Sequence, residues 1–154
     1  MSSARQKRSA RTQVRFTKLN AKGQATRGAH VAVVDNTTGL MWDAGETARM
    51  TWSAAKTHCE QLRAAGFDDW RLPTVAELVA LVDYCRCNPA IDTTAFPNCK
   101  SDWYWTGVAA AYSPGVCAWF VGFALGFAGW LGQGGDCFVR AVRASQSLAI
   151  GHSG

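Results

Sequence analysis

WYWTGVAAAYSPGVCAWFVGFALGFAGWLGQGG, residues 103 to 135, carries no charged side chain, and Asp102 and Asp136 close it on either side. A run of this kind is a membrane span, a set of strands buried in a core, or a surface built to bind something. Its most apolar part, Val116 to Leu131, has 16 residues, short of the roughly 20 that a spanning helix needs. Extending it meets Pro114 and Gly115 upstream and Gln133 downstream, and no basic cluster flanks it to set a topology. The strand reading has internal support. Trp119, Val121 and Phe123 alternate with Phe120, Gly122 and Ala124, the two-residue period of a strand. Ser113-Pro114-Gly115 and Gly132 to Gly135 supply turns between the pieces.

Outward from this run the pattern changes. Phe138 to Arg143 alternates as another strand and sends Arg140 and Arg143 to opposite faces. Upstream, Trp52, Ala55, Cys59 and Leu62 form one stripe of a 3.6-residue repeat after Thr51, with Gly66 placed to end the helix. A second helix is expected after Pro73. Thr74 and Glu77 have the T-x-x-E spacing of a capping box, and Leu78, Leu81 and Val82 form its buried face. His30 to Val34 reads as a strand closed by the turn-rich Asp35 to Gly39, and Leu40, Met41 and Trp42 add apolar bulk. Gln13 to Leu19 alternates in part and suggests an earlier strand.

The net charge of +5 is unevenly placed. Arg5, Lys7, Arg8, Arg11, Arg15, Lys18, Lys22 and Arg27 precede every acid in the chain, while the other eight Lys and Arg face all eleven Asp and Glu. The charge therefore divides the chain into a basic arm (1–27), one domain (28–144) and a short tail (145–154). The arm reads as a solvated segment. Contact with nucleic acid through it is expected to be weak at most, because no aromatic interleaves its basic residues before Phe16. No apolar segment follows Met1, so no secretory signal is expected, which points to a cytoplasmic or virion-associated protein. Six cysteines occur, Cys59, Cys85, Cys87, Cys99, Cys117 and Cys137. Reduced thiols, or one local disulfide between Cys87 and Cys99, suit that context better than a metal site, since C-x-C lacks the usual zinc spacing. No cofactor is expected.

Five segments taken together carry a resemblance: DNTTGLMW (35–42), TWSAAKTHCEQL (51–62), DDWRLPTVAELVALVD (68–83), WYWTG (103–107) and FVRAVR (138–143). In this order and spacing the chain resembles the Lcl C-terminal domain family, within the C-type lectin-like superfamily and related in fold to formylglycine-generating enzymes. The resemblance implies an α+β, C-type lectin-like fold: two helices packed on small twisted antiparallel sheets with long loops. Arg71, Arg140 and Asp83 are then expected as structural ion-pair partners rather than catalysts. Family members often carry Cys in the V-R-x-V-R ending, which the resemblance implies is paired with the Cys of the first helix. Ala141 stands there in this chain, which leaves Cys59 as a buried free thiol.

Three functions follow from such a fold. A calcium-dependent lectin would show an E-P-N, Q-P-D or W-N-D element, and none is present. An enzyme or thiol protein of the formylglycine-generating kind would rely on Cys117 and Cys137, which no basic neighbour in sequence activates. A binding module without catalysis is the reading we carry forward. Related domains serve as variable proteins of diversity-generating retroelements, in which adenines of Asn codons are randomised. Such codons reach Gly, Ala, Leu, Phe, Asp, Cys, Val, Tyr and Ser but never Trp, Gln, Lys, Met or Glu. Ala110, Tyr112, Phe120, Gly122, Ala124, Leu125, Phe127, Gly129, Gly134, Gly135, Asp136 and Cys137 fit that set and are the candidate ligand-binding residues for a protein or cell-surface target. Phe120, Phe127 and Tyr112 would be its anchors, on a scaffold of Trp119, Val121, Phe123, Trp130 and Gln133. The alternative is a sheet covered by protein on both faces.

Overall fold

β-Branched and aromatic residues between turn signals build the first sheet. The computed structural model describes residues 14–145, so Arg5, Lys7, Arg8 and Arg11 of the basic arm and residues 146–154 of the tail lie outside the described residues. Strands β1 (Phe16–Leu19), β2 (Ala32–Asp35), β3 (Leu40–Asp43) and β7 (Val142–Ala144) form an antiparallel sheet in that order. The partly alternating segment before Leu19 is thus a strand, and residues 14–27, grouped with the arm by their charge, include the first strand of the sheet. Arg15 shows why: its guanidinium donates to both carboxylate oxygens of Asp35, at 3.3 and 3.0 Å, and its Nη2 also reaches the carbonyl of Ala80. The hairpin between β2 and β3 turns through Gly39 at φ +76°, a conformation that glycine adopts without strain.

Helix α1 (Trp52–Gln61) starts where Thr51 Oγ1 accepts the amide of Ala54. Ala55 and Cys59 of the expected stripe are buried, while Trp52 and Leu62 are half-buried. The helix stops at Leu62, before Gly66. Gly66 (φ +84°) instead ends a separate 3₁₀ turn, Ala64–Gly66, whose Ala65 is itself at φ +55°. Helix α2 (Val75–Val79) has both halves of the capping box: Thr74 Oγ1 accepts the amide of Glu77, and the Glu77 carboxylate accepts the amide of Thr74. That carboxylate also takes two bonds from Arg71, at 2.8 and 2.9 Å. The helix is shorter than expected: Leu78 is its buried residue, and Leu81 and Val82, also buried, lie in the turn beyond Val79.

The uncharged run becomes three of the seven strands among the described residues. Strands β4 (Trp103–Ala109), β5 (Cys117–Gly122) and β6 (Phe127–Gly132) form a second antiparallel sheet with β5 in the middle. Neighbouring residues of this sheet enter different cores. Trp105, Ala118 and Phe120 pack with Ala55, Cys59, Trp70 and Leu72, whereas Tyr104, Val121 and Phe123 pack with Trp42, Leu78, Leu81 and Phe96. With both faces of β4 and β5 buried, period-two alternation of apolar and charged residues has no role, so the sequence runs apolar throughout. Among the described residues no helix is long and apolar enough to cross a membrane.

The two arginines of the last strand segment point to opposite sides, as their spacing requires. Arg140 is fully buried. It donates to the carbonyls of Asp43 and Gly45 at 3.0 Å and to Glu46 at 3.4 Å, with the rings of Phe96 and Tyr104 on either flank. Arg143 donates to both oxygens of Asp69 and lies 3.8 Å over the ring of Phe67. Asp83 pairs with Arg86. Arg71, Arg140 and Asp83 thus all have ion-pair partners.

Candidate binding surface

Beyond β5, the second sheet loses its cover. β6 is the outer strand, and its register against β5 places Trp130 opposite Trp119, Gly129 opposite Phe120 and Phe127 opposite Gly122. Two aromatic groups result, one on each face. On one face Trp130, half-exposed, meets Trp119 edge-on at 5.2 Å and Tyr112 edge-on at 5.8 Å between ring centres. On the other, Phe120 stacks on Trp103 at 4.2 Å, and Phe127 meets Phe120 edge-on at 5.9 Å. Edge-to-face and offset-stacked rings hold one another in fixed orientations, so these groups are ordered although partly open to water.

The twelve candidate residues divide by burial. Tyr112 and Leu125 are about as exposed as an isolated side chain allows in a folded domain, at 70% and 68%, and Phe127 is half-exposed. Gly134 and Asp136 are exposed, while Ala124, Gly129 and Gly135 are partly so. Ala110, Phe120, Gly122 and Cys137 are buried. Phe120 is therefore not an outward anchor: the strand face expected to meet solvent is covered by the core that holds Trp105 and Cys59. Conversely, Trp130 was expected in the scaffold, yet half of it faces solvent, and Trp103 and Val116 join it as exposed apolar residues. Their signal was available in part. Trp130 sits in FAGWLG, a strand with no β-branched residue and two glycines, too poor in bulk to fill a core face.

The glycines of this sheet are packing partners of the rings. A Cβ on Gly129 would stand 2.9 Å from the Phe120 ring, and one on Gly122 would stand 2.8 Å from the Phe127 ring and 3.2 Å from Trp103. The neighbouring turn is secured by Gln133, whose side-chain amide donates to the carbonyls of Pro114 and Cys117, while its own carbonyl accepts the amide of Trp52. Gln133 is thus a scaffold residue in the expected sense.

The thiols sit in different surroundings. All six cysteines are free. Burial, with the carboxylates of Asp102 and Asp136 adding to it, pushes the Cys137 thiol up to about 12, and burial does the same to Cys59. Both therefore stay protonated at neutral pH and are poor nucleophiles. Burial also raises Cys99 and the Tyr104 phenol, beside Arg140. Among the described residues, no three His, Cys, Asp or Glu stand together as metal ligands. Two clefts occur elsewhere, of about 320 Å³ beside Met41 and Phe67 and about 260 Å³ beside Trp70 and Lys56, and neither is lined by a candidate residue.

The segments that carry the resemblance are now placed. The tryptophan and leucine of DDWRLPT are buried, its Arg71 backbone pairs with Val142 of the VRAVR ending, and its capping box starts α2. A family model for the Lcl C-terminal domain matches residues 31–143, more than half of the chain. The chain belongs to the Lcl C-terminal domain family. In this Lcl C-terminal domain the matched region runs from the residue before β2 into β7, so β1 lies just upstream of it. No curated protein matches the chain.

Proposed function

We propose that this Lcl C-terminal domain is a C-type lectin-like binding module that holds a protein or cell-surface ligand without catalysis. The observation that carries the reading is the open aromatic surface around β6: Tyr112, Trp130, Leu125 and Phe127 exposed within a stretch that contains no charge. Exposed rings gathered at one edge of a folded domain, here Tyr112 with Trp130 on one face and Phe127 on the other, mark an interaction site. Rings fixed by their neighbours lose little conformational freedom on binding, which is what makes aromatic side chains effective anchors. The high thiol pKa of Cys137 supports binding over thiol chemistry, because an enzyme that used it would need the thiolate.

The sharper form of the reading is that part of this surface is diversified by a retroelement. Leu125, Gly134 and Asp136 are exposed, and Phe127 is half-exposed although its ring packs on Phe120. Gly122 and Gly129 are constrained, since any side chain there meets a ring. Gly135 is constrained as well, by the Leu131 side chain, so diversification concentrates at Leu125, Gly134 and Asp136, with Phe127 at the margin. Two experiments test the reading. The DNA beside the gene should hold a near-copy of its 3′ end that differs at adenines, next to a reverse transcriptase; a locus without such a copy removes the diversification. A random peptide library displayed on phage and panned against the wild-type chain should enrich binders that Tyr112→Ser and Trp130→Ser both lose. Enrichment that survives both changes would remove this surface as the site.

A further inference from the structure

A sheet edge exposes a row of backbone N–H and C=O groups that pair readily with another strand, and folded proteins cover or charge their edges for that reason. Among the described residues, the three edges other than that of β6 each have part of their outward groups bonded by another segment. The outer side of β1 is met by Gln24 and Thr26 through the bonds Asn20 N to Gln24 O and Thr26 N to Lys18 O. The outer side of β7 exchanges two bonds between Val142 and Arg71, both 2.9 Å. The outer side of β4 is closed by Phe138, which bonds to Trp103 and Trp105, and by the carbonyl of Pro73 on Gly107.

β6 differs. Gln133 N donates to Val116 O, and with the register fixed, the pairs bonded to β5 are Leu131 with Ala118, Gly129 with Phe120 and Phe127 with Gly122. Ala128 and Trp130 therefore point their N–H and C=O away from β5. No backbone partner for these four groups is found among the described residues. Gly132 also faces outward, but its carbonyl is taken by Gly135 N, and Gly126 N at the other end is taken by Gly122 O. The strand has none of the usual protections: no Lys, no Pro and no charge from Phe127 to Gly132.

We propose that β6 pairs with β6 of a second copy of this chain, antiparallel and centred on Gly129, to join two three-stranded sheets into one of six strands. The register follows from the groups that are free. Ala128 of one copy opposite Trp130 of the other uses all four outward groups of each strand, whereas centring on Ala128 or Trp130 spends pairings on Gly126 or Gly132, whose groups are already engaged. The side chains suit it as well. Ala128 faces Trp130 of the second copy, small against large, Phe127 faces Leu131, and the two copies of Gly129 meet on the axis. An uncharged strand does not repel its own copy. The pairing uses backbone at the edge and leaves both faces of the sheet to a ligand, so it stands independently of the proposed function.

The test is the mass of the full chain in solution. Light scattering after size exclusion at a concentration on the order of 0.1 mM should give twice the monomer mass. Ala128→Pro removes an outward N–H without touching the β5 ladder, a position where an edge strand tolerates proline, and should weaken the dimer by at least tenfold. Ala128→Lys, at an exposed side chain, should do the same if the proline variant fails to fold. Tyr112→Ser should leave the dimer unchanged. A monomeric wild-type chain, or a dimer that persists in whichever of the Ala128 variants folds with an unchanged circular dichroism spectrum, overturns the pairing.

Discussion

The two sheets solve opposite problems with the same strand geometry. The sheet β1–β2–β3–β7 and the residues leading into it hold buried charge: Asp35, Asp43, Arg140 and Arg143 are each at most 5% exposed. Arg140 donates to the end of β3 and the loop after it, and Arg143 to Asp69. The sheet β4–β5–β6 contains none, and aromatic rings and glycines do the fitting instead. A buried ion is stable only in one arrangement of its partners, so the first sheet admits few substitutions. An apolar sheet admits side chains that fill space, and its outer strand is freest where a residue faces solvent, as at Ala128 and Trp130, and not at Gly129, which meets the Phe120 ring. The difference separates a scaffold from a surface within one small domain.

Removing Arg140 should do the most damage. Arg140→Ala leaves two carbonyls and Glu46 without their donor in the core, and is expected to cost about 3–5 kcal/mol in denaturant unfolding. A loss below about 1 kcal/mol would mean that the buried charge does not hold the first sheet together. Phe120→Ala comes next, at about 3 kcal/mol for a buried ring. If the protein instead tolerates it with little change, Phe120 belongs to the surface after all, and the boundary between the two regions moves inward.

Acid should act on the charged region and spare the other. Bonds from Arg143 hold Asp69 below the usual carboxylate range, and bonds from Arg71 do the same for Glu77. Because the folded pKa lies below the unfolded one, the stability these groups contribute is present above the unfolded values near 4 and is lost as pH falls through the folded values. The slope of stability against pH below about 4.5 should therefore flatten in an Asp69→Asn, Glu77→Gln double variant. An unchanged slope would show that other carboxylates carry the acid response. The smallest effect is expected at Leu125→Ser, within about 0.5 kcal/mol of wild type, as for an exposed residue away from any special feature. A larger loss would tie that turn to the scaffold and remove it from the variable set.

Much of the scaffold was legible because its signals are local. The Thr74–Glu77 spacing predicts its own pair of hydrogen bonds, and both form. The strand expected over Phe138 to Arg143 is confined to Val142–Ala144, so Arg140 precedes it, yet the spacing of three still sends Arg140 and Arg143 to different partners on opposite sides. Gly66 is a case where a local signal was right in kind and wrong in place: it does end a turn, but a 3₁₀ turn beyond the helix, because the chain leaves α1 in extended conformation at Leu62. The surface was less legible. Tyr112, Leu125 and Phe127 are open as expected, but Phe120, Ala110 and Cys137 are not. Period two separates one face of a strand from the other without saying which face is covered, and here both are covered along β5.

The sequence by itself determined that residues 103–135 are too short and too interrupted for a membrane helix, that a strand runs through Trp119 to Phe123, and that two short helices accompany it. Chain length, glycine spacing and capping chemistry suffice for that, since each acts over a few residues. Only the tertiary structure decided where the uncharged run stops being core. Trp119 and Trp130 are chemically the same and lie opposite each other, yet one sits on the central strand and the other on the outermost. Exposure depends on which element packs next to a strand, and that neighbour is supplied by residues far away in the chain.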